Sequence, residues 1–298
     1  MVTELTPDTL IEMTFKGALK RAPDPSGREA WKRRLSQVGL DGVISGLISS
    51  PEFETRYLYN LIQQGGMDRA KKLASLLVHY QIPQFLHPPR VDLVRNVVPA
   101  ARQVLDLGGA SARPQGALLE MGYPHAKQIT IVDLPVELRM KPGPDVRELV
   151  LYQGTEVLYQ YHTMADLSRY PDESFDLVWS GQTFEHITEQ EGAALFPQVR
   201  RVLRRGGIFA LDTPNRTITR LTVGDGMLIH AEHKIEYEFA DFLRRFTNCG
   251  MDLIDMRGIL DMPETLLCGY GVLEDLKNGT INSSPWSSYC FYVAFRKP

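Results

Sequence analysis

The sequence predicts an α/β fold: a mostly parallel sheet flanked by helices, preceded by a separate all-helical segment. Three observations predict it. Gln103-Val104-Leu105-Asp106-Leu107 reads as a buried strand, its apolar run fit to be covered on both faces. It runs into the small-residue turn Gly108-Gly109-Ala110-Ser111-Ala112, followed by a helix through Ala117, Leu118 and Leu119. A second buried strand, Gln128-Ile129-Thr130-Ile131-Val132-Asp133, then ends in an acid. Strand, tight turn, helix and strand in that order form the nucleotide-binding edge of an α/β sheet.

The composition sets bounds on this reading. With 298 residues, 43% hydrophobic and 23% charged, the chain has room for one large domain and a small one. A formal net charge of -3 gives no electrostatic basis for wholesale nucleic-acid binding, and no nucleic-acid partner is expected. The three cysteines, Cys249, Cys268 and Cys290, form no C-x-x-C and are expected to pack as small hydrophobes in a reducing compartment. Met1 to Leu10 carries acids and no apolar core, and no stretch approaches ~18 uninterrupted apolar residues, so neither a signal peptide nor a spanning helix is expected. The expected location is the cytoplasm, with peripheral attachment to the inner membrane left open.

Residues 1–62 read as a helical accessory domain. Leu10, Met13, Phe15 and Leu19 mark a first helix, stopped by Arg21-Ala22-Pro23-Asp24-Pro25. Trp31 and Leu35 belong to a second, and Val43, Ile44, Leu47 and Ile48 to a third. Ser50-Pro51 opens a fourth, with Ser50 as N-cap. The pattern Arg-x-Pro-Asp-x-x-Gly-x-x-x-Trp, closing on Ser-Pro-Glu-Phe, resembles a small helical domain of unassigned function found beside bacterial enzymes of surface glycans. Docking or dimerisation is its expected role. Residues 63–96 read as linker and cap helices broken at Pro83, Pro88 and Pro89; His79, Tyr80 and His87 are expected to be ordinary packing residues, with contact to a substrate as the alternative. Residues 97–298 read as the α/β domain.

The glycine turn decides which nucleotide is expected. A dinucleotide fingerprint would place its third glycine at Arg113, and there is no room for a phosphate-gripping lysine loop. Asp106, two residues before Gly108, instead favours a cationic ligand. The segment resembles motif I of the class I S-adenosylmethionine-dependent methyltransferases, roughly D/E-x-G-x-G-x-G, with Ala110 and Ala112 replacing the later glycines. Pro171-Asp172-Glu173-Ser174-Phe175-Asp176-Leu177-Val178 matches that family's fourth strand. Phe184-Glu185-His186 follows it, then Arg200-Arg201-Val202-Leu203-Arg204-Arg205-Gly206-Gly207 before strand five at Ile208–Leu211. The resemblance covers roughly Val97 to Arg296. It implies a Rossmann-like, seven-stranded sheet whose terminal strand, Tyr289–Phe295, inserts antiparallel. Tyr237–Cys249 is expected as an amphipathic helix and Leu253–Ile259 as strand six. Residues 141–159 are expected to hold one helix and the approach to strand three.

The resemblance also assigns roles. S-adenosylmethionine would be held by Asp106, Gly108, Gly109 and Ala110 at the loop, by Asp133 and Leu134 at the ribose, by Asp166 and Leu167 at the adenine, and by Ser180. Deprotonating an acceptor hydroxyl needs a base or a metal. The candidates are His186, His230 and His233, with Glu185, Glu232 and Glu236 nearby in sequence. Metal-assisted O-methyltransferases of the family carry Glu-x-x-Glu-His plus a later histidine. Here Gln182, Glu185 and His186 fall at i, i+3 and i+4, one face if helical, with His230 or His233 downstream. Gln182 replaces a carboxylate and weakens a magnesium site. The expected activity is methyl transfer to a hydroxyl of a small molecule, a saccharide or a glycolipid precursor. An N- or C-methyltransferase, or a non-catalytic cofactor-binding scaffold, are the alternatives.

Overall fold

The computed structural model describes residues 6–19, 21–48, 50, 53, 82, 84–139, 143–223, 226–262 and 280–298. The expectations for Pro51, His79, Tyr80, Pro83, Cys268 and most of the linker over 63–83 lie outside them. The described residues form two compact units, one through residue 84 and one from residue 85 onward.

In the first unit, α1 spans Pro7–Leu19 and α2 spans Pro25–Ile48. Gly39 (φ 70, ψ -177) breaks α2 into two helices, at the place where the apolar pattern changes phase between Leu35 and Val43. Ile11, Phe15, Val43 and Leu47 are buried, and Phe15 meets Trp31 edge-on at 5.6 Å between ring centroids. The Ser50 hydroxyl accepts from the Phe53 amide at 3.2 Å, the bond expected of an N-cap.

The second unit opens within helix α3, which covers residues 84–96. It runs through Pro88 and Pro89 without a break, although each proline that far into a helix leaves out an intrahelical hydrogen bond. The remaining elements are β1 (Gln103–Leu107), α4 (Gly116–Glu120), β2 (Gln128–Asp133), β3 (Val150–Tyr152), β4 (Thr155–Tyr161), β5 (Phe175–Gly181), α5 (Glu189–Val202), β6 (Leu203–Pro214), α6 (Arg216–Val223), α7 (Phe239–Phe246), β7 (Asp252–Asp261), β8 (Ile281–Asn282) and β9 (Ser288–Arg296).

They build one sheet in the order β3-β4-β2-β1-β5-β6-β9-β7-β8. The strands β4, β2, β1, β5 and β6 run parallel, and β9 lies antiparallel between β6 and β7. This contains the expected seven strands, and β3 and β8 extend the two edges. Residues 143–149 are not helical; β3 and β4 form a hairpin across Gln153 and Gly154, both at positive φ (50 and 85). Paired left-handed residues make the turn whose twist matches two strands.

Helix α5 starts at a full capping box, Thr188 with Glu191, and buries Leu195, Phe196, Val199 and Val202 at helical spacing. Helix α7 brings Phe239, Phe242 and Phe246 to the same core, where Phe246 stacks on Phe196 at 4.4 Å. This aromatic layer holds one sheet face and leaves the C-terminal ends of β1, β2, β4, β5 and β6 along a common edge. Ligands of open α/β sheets bind at such an edge.

Candidate active site

The loop after β1 is shaped by packing. Gly108 (φ 75) donates its N–H to the Val132 carbonyl at 2.7 Å, and a Cβ there would lie 2.4 Å from Thr183 Cγ2. At Gly109 a Cβ would fall 2.0 Å from Asp106 Oδ2, so the Asp106 carboxyl sits directly under the loop. Only glycine fits at these two positions. Asp106 is buried, and burial followed by the nearby Asp133 carboxyl pushes its pKa up to about 8, with Arg90 opposing. Its Oδ2 has no hydrogen-bond partner. A buried acceptor left unpaired is costly unless a ligand or water serves it.

Asp133, at the tip of β2, ties the loop to the neighbouring strand. Its Oδ2 accepts from Ala110 N–H at 3.0 Å and its Oδ1 from Leu134 N–H at 2.7 Å, with Arg139 Nε 3.3 Å from Oδ1. Burial raises its pKa, against the pull of Arg139 and the two amides. Asp166 is exposed and its Oδ1 accepts from the Ser168 amide, the first of the bonds that lower its pKa. Leu167 is fully buried in the apolar core, so its side chain belongs to the packing rather than to an adenine platform. Ser180 Oγ is 2.7 Å from Thr183 Oγ1, which donates to the Leu107 carbonyl and braces the loop.

At the ends of β5 and β6 lies a second cluster. Phe184–His186 form one turn of 3-10 helix, and Gln182 lies outside it in the left-handed region (φ 57). The sequence-based common face of Gln182, Glu185 and His186 is therefore not formed. The Gln182 amide instead donates to Asp212 Oδ2 at 2.7 Å. Glu185, 1% exposed, accepts from Thr213 Oγ1 at 2.8 Å, and burial raises its pKa to about 7 against the influence of His233.

The histidines converge on Glu185. His233 Nε2 lies 3.9 Å from Glu185 Oε1, and its Nδ1 lies 2.7 Å from Glu236 Oε1. Ring centroids of His186 and His233 are 5.0 Å apart, and His230 stands 6.3 Å from His186 with its side chain 40% exposed. Burial, then His233, lowers the pKa of His186. Glu236 is buried, which alone would raise its pKa. Hydrogen bonds from His233, from Thr219 Oγ1 and from the Ile229 amide hold it below the ordinary value instead. One ligand atom each from Glu185, His186 and His233 lies within 4.8 Å of the others. Two imidazoles and one carboxylate suit zinc, manganese or iron better than magnesium, which prefers oxygen ligands.

Sequence reasoning missed Arg90, Asp212 and Arg139. Asp212 could be read only as a residue of the loop after strand five; the other two carry no motif.

The parallel sheet, with a glycine loop over a buried acid and a second acid at the tip of the next strand, has the arrangement at which open α/β sheets take their ligands. Residues 105–211 match the family model described as a methyltransferase domain. The chain therefore carries a methyltransferase domain over those residues. It is 28% identical over 188 residues to the ubiquinone biosynthesis O-methyltransferase of Xanthomonas axonopodis pv. citri, covering 60% of this chain and 74% of that protein. It is 26% identical over 134 residues to the sterol 24-C-methyltransferase of Aspergillus fumigatus, covering 41% and 33% respectively. Among solved structures, a SAM-dependent methyltransferase of Thermotoga maritima aligns over 81% of this chain and all of its own, at 14% identity and a TM-score of 0.49.

Among the described residues, no helix is long and apolar enough to cross a membrane.

Proposed function

We propose that the enzyme methylates an acceptor hydroxyl, and that the Glu185–His186–His233 cluster is where that hydroxyl loses its proton. The carrying observation is the alignment Glu236–His233–Glu185: Glu236 Oε1 lies 2.7 Å from Nδ1 of His233 and orients the ring, so that Nε2 faces Glu185 at 3.9 Å. His186, whose pKa burial lowers, is neutral near pH 7 and available as a base.

On the donor side, the residues fit S-adenosylmethionine. The orphaned Asp106 Oδ2 offers an acceptor to a cationic amino-acid end, Gly108 and Gly109 let the chain approach closely, and Asp133 retains acceptor capacity for ribose hydroxyls. When bound, this donor supplies an electrophilic methyl on a sulfonium. The protein's share is then to hold the acceptor oxygen in line with it and to receive the hydroxyl proton.

A metal-assisted variant has one specific observation in its favour, the mutual approach of Glu185, His186 and His233. Such an ion would polarise the acceptor hydroxyl.

The ubiquinone-pathway relative supports oxygen as the acceptor atom. The N-terminal sequence pattern supports a saccharide or glycolipid precursor, a cytoplasmic setting, and docking or dimerisation through the helical segment.

The test is an acceptor screen across sugar nucleotides, glycans and phenols with S-adenosylmethionine as donor, reading S-adenosylhomocysteine release. On the acceptor found, His186→Ala and His233→Ala should each lower turnover by roughly 10²–10⁴ with donor affinity intact. Loss of activity to a chelator, restored by zinc or manganese, selects the metal route. Full activity in both variants overturns the cluster's role.

A further inference from the structure

Three buried polar atoms without partners, Asp106 Oδ2, Arg139 Nη2 and Tyr159 Oη, belong to the β1, β2 and β4 side of the site. Register places Asp106, Ile131 and Tyr159 side by side across β1, β2 and β4, and Asp133 beside Tyr161 one level further on. Residues alternate faces along a strand, so Asp106, Tyr159, Asp133 and Tyr161 share one face.

Arg139 is held in this corner from several directions. Its Nε donates to the Leu134 carbonyl at 2.7 Å and lies 3.3 Å from Asp133 Oδ1. Its guanidinium carbon sits 5.3 Å from the centre of the Tyr161 ring, whose hydroxyl is fixed by the backbone of Val146 at 2.8 and 3.0 Å. The side chain is only 10% exposed, yet Nη2 finds no acceptor. A guanidinium cannot lose its proton to escape this, and a buried N–H without an acceptor is destabilising. The neighbouring carboxylate is already engaged by Nε and two amides, so it does not answer Nη2.

We infer that Arg139 is a donor-positioning residue: its Nη2 hydrogen-bonds an acceptor atom of the adenosyl half of S-adenosylmethionine. The inference rests on the donor reading given under Proposed function. Nucleosides carry the required chemistry, since ring nitrogens and ribose oxygens are neutral acceptors beside the hydroxyls that Asp133 would accept from. The amino-acid end is answered elsewhere, by Asp106. Arg139 therefore contributes to holding the nucleoside, not to proton transfer at the Glu185 cluster.

Calorimetry on the full chain tests this with S-adenosylmethionine, S-adenosylhomocysteine and 5′-methylthioadenosine, which lacks the amino-acid end. Arg139→Gln should weaken all three by a similar factor, about tenfold or more. Arg139→Lys keeps a positive charge beside Asp133 but not the fork, and should fall between the variant and the wild type. Ligand-free Arg139→Gln should melt below the wild type because it loses the Leu134 and Asp133 contacts. Arg139→Lys, which keeps the charge beside Asp133, should melt closer to the wild type and still bind all three ligands more weakly; that weakening separates a ligand role from a structural one. Unchanged affinity in both variants, or a loss for S-adenosylmethionine that spares methylthioadenosine, overturns the inference and leaves the donor reading standing. Failure of the wild type to bind any of the three overturns the donor reading itself, and this inference with it.

Discussion

Arg90 and Asp212 form a two-pronged buried ion pair: Nε lies 2.7 Å from Oδ2 and Nη2 3.2 Å from Oδ1. The Asp212 side chain is 0% exposed, and the Gln182 amide completes its shell. Helix α3 is thereby fastened to the end of β6 beside Glu185. Burial works against the charge on Arg90, yet its pKa is raised because Asp212 more than compensates.

Removing one partner strands the other charge in the interior. Arg90→Met or Asp212→Asn should each cost about 3–5 kcal/mol in denaturant unfolding. The double variant should cost clearly less than the sum of the two. Additive losses would show that the ions are not coupled.

Asp106 makes binding and stability depend on pH. Its native pKa of about 8 stands above the ordinary 3.8, so between those values the folded state holds a proton that the unfolded state lacks. Stability should therefore fall as pH rises through that window, and Asp106→Asn should flatten the fall. A cationic donor favours the ionised carboxyl. Its affinity should then rise toward pH 8, by at most about tenfold per pH unit, with a proton released on binding. Calorimetry in buffers of different ionisation enthalpy measures that proton; Asp106→Asn should abolish it.

Truncation should discriminate between two starting points. A chain beginning at Val97 deletes Arg90, whereas one beginning at Phe85 keeps it and α3 from its second residue on. The shorter chain should unfold at lower denaturant, by a margin comparable to Arg90→Met. Equal midpoints would mean that the helix is dispensable to the sheet.

Much of this site was legible because it is local. The strand, glycine turn and acid at Asp106 and Asp133 each lie within a few consecutive residues, and β9 and α7 declare themselves by apolar pattern. What was hidden depends on distance or on a single dihedral. Arg90 and Asp212 are 122 residues apart, and no periodicity joins them. The spacing of Gln182, Glu185 and His186 gives a common face only if that segment is helical, and a left-handed backbone at Gln182 places its amide on Asp212 instead. Glu236 looked like one of several nearby carboxylates until burial and His233 set it apart. The hairpin of β3 and β4 was readable in principle, since Gln153-Gly154 suits a tight two-residue turn.

The position of β9 constrains the order in which the molecule can be completed on the ribosome. Ser288–Tyr292 and Val293–Phe295 are all buried, and they separate β6 from β7. Until that stretch has left the exit tunnel, β6 ends as an open edge and β7 has nothing on its inner side. Two unpaired edges on a nascent chain invite pairing with other chains. Premature termination anywhere before residue 288 should thus yield aggregates rather than a smaller folded enzyme, even though Asp106, Asp133, Glu185 and His233 would all already have been made.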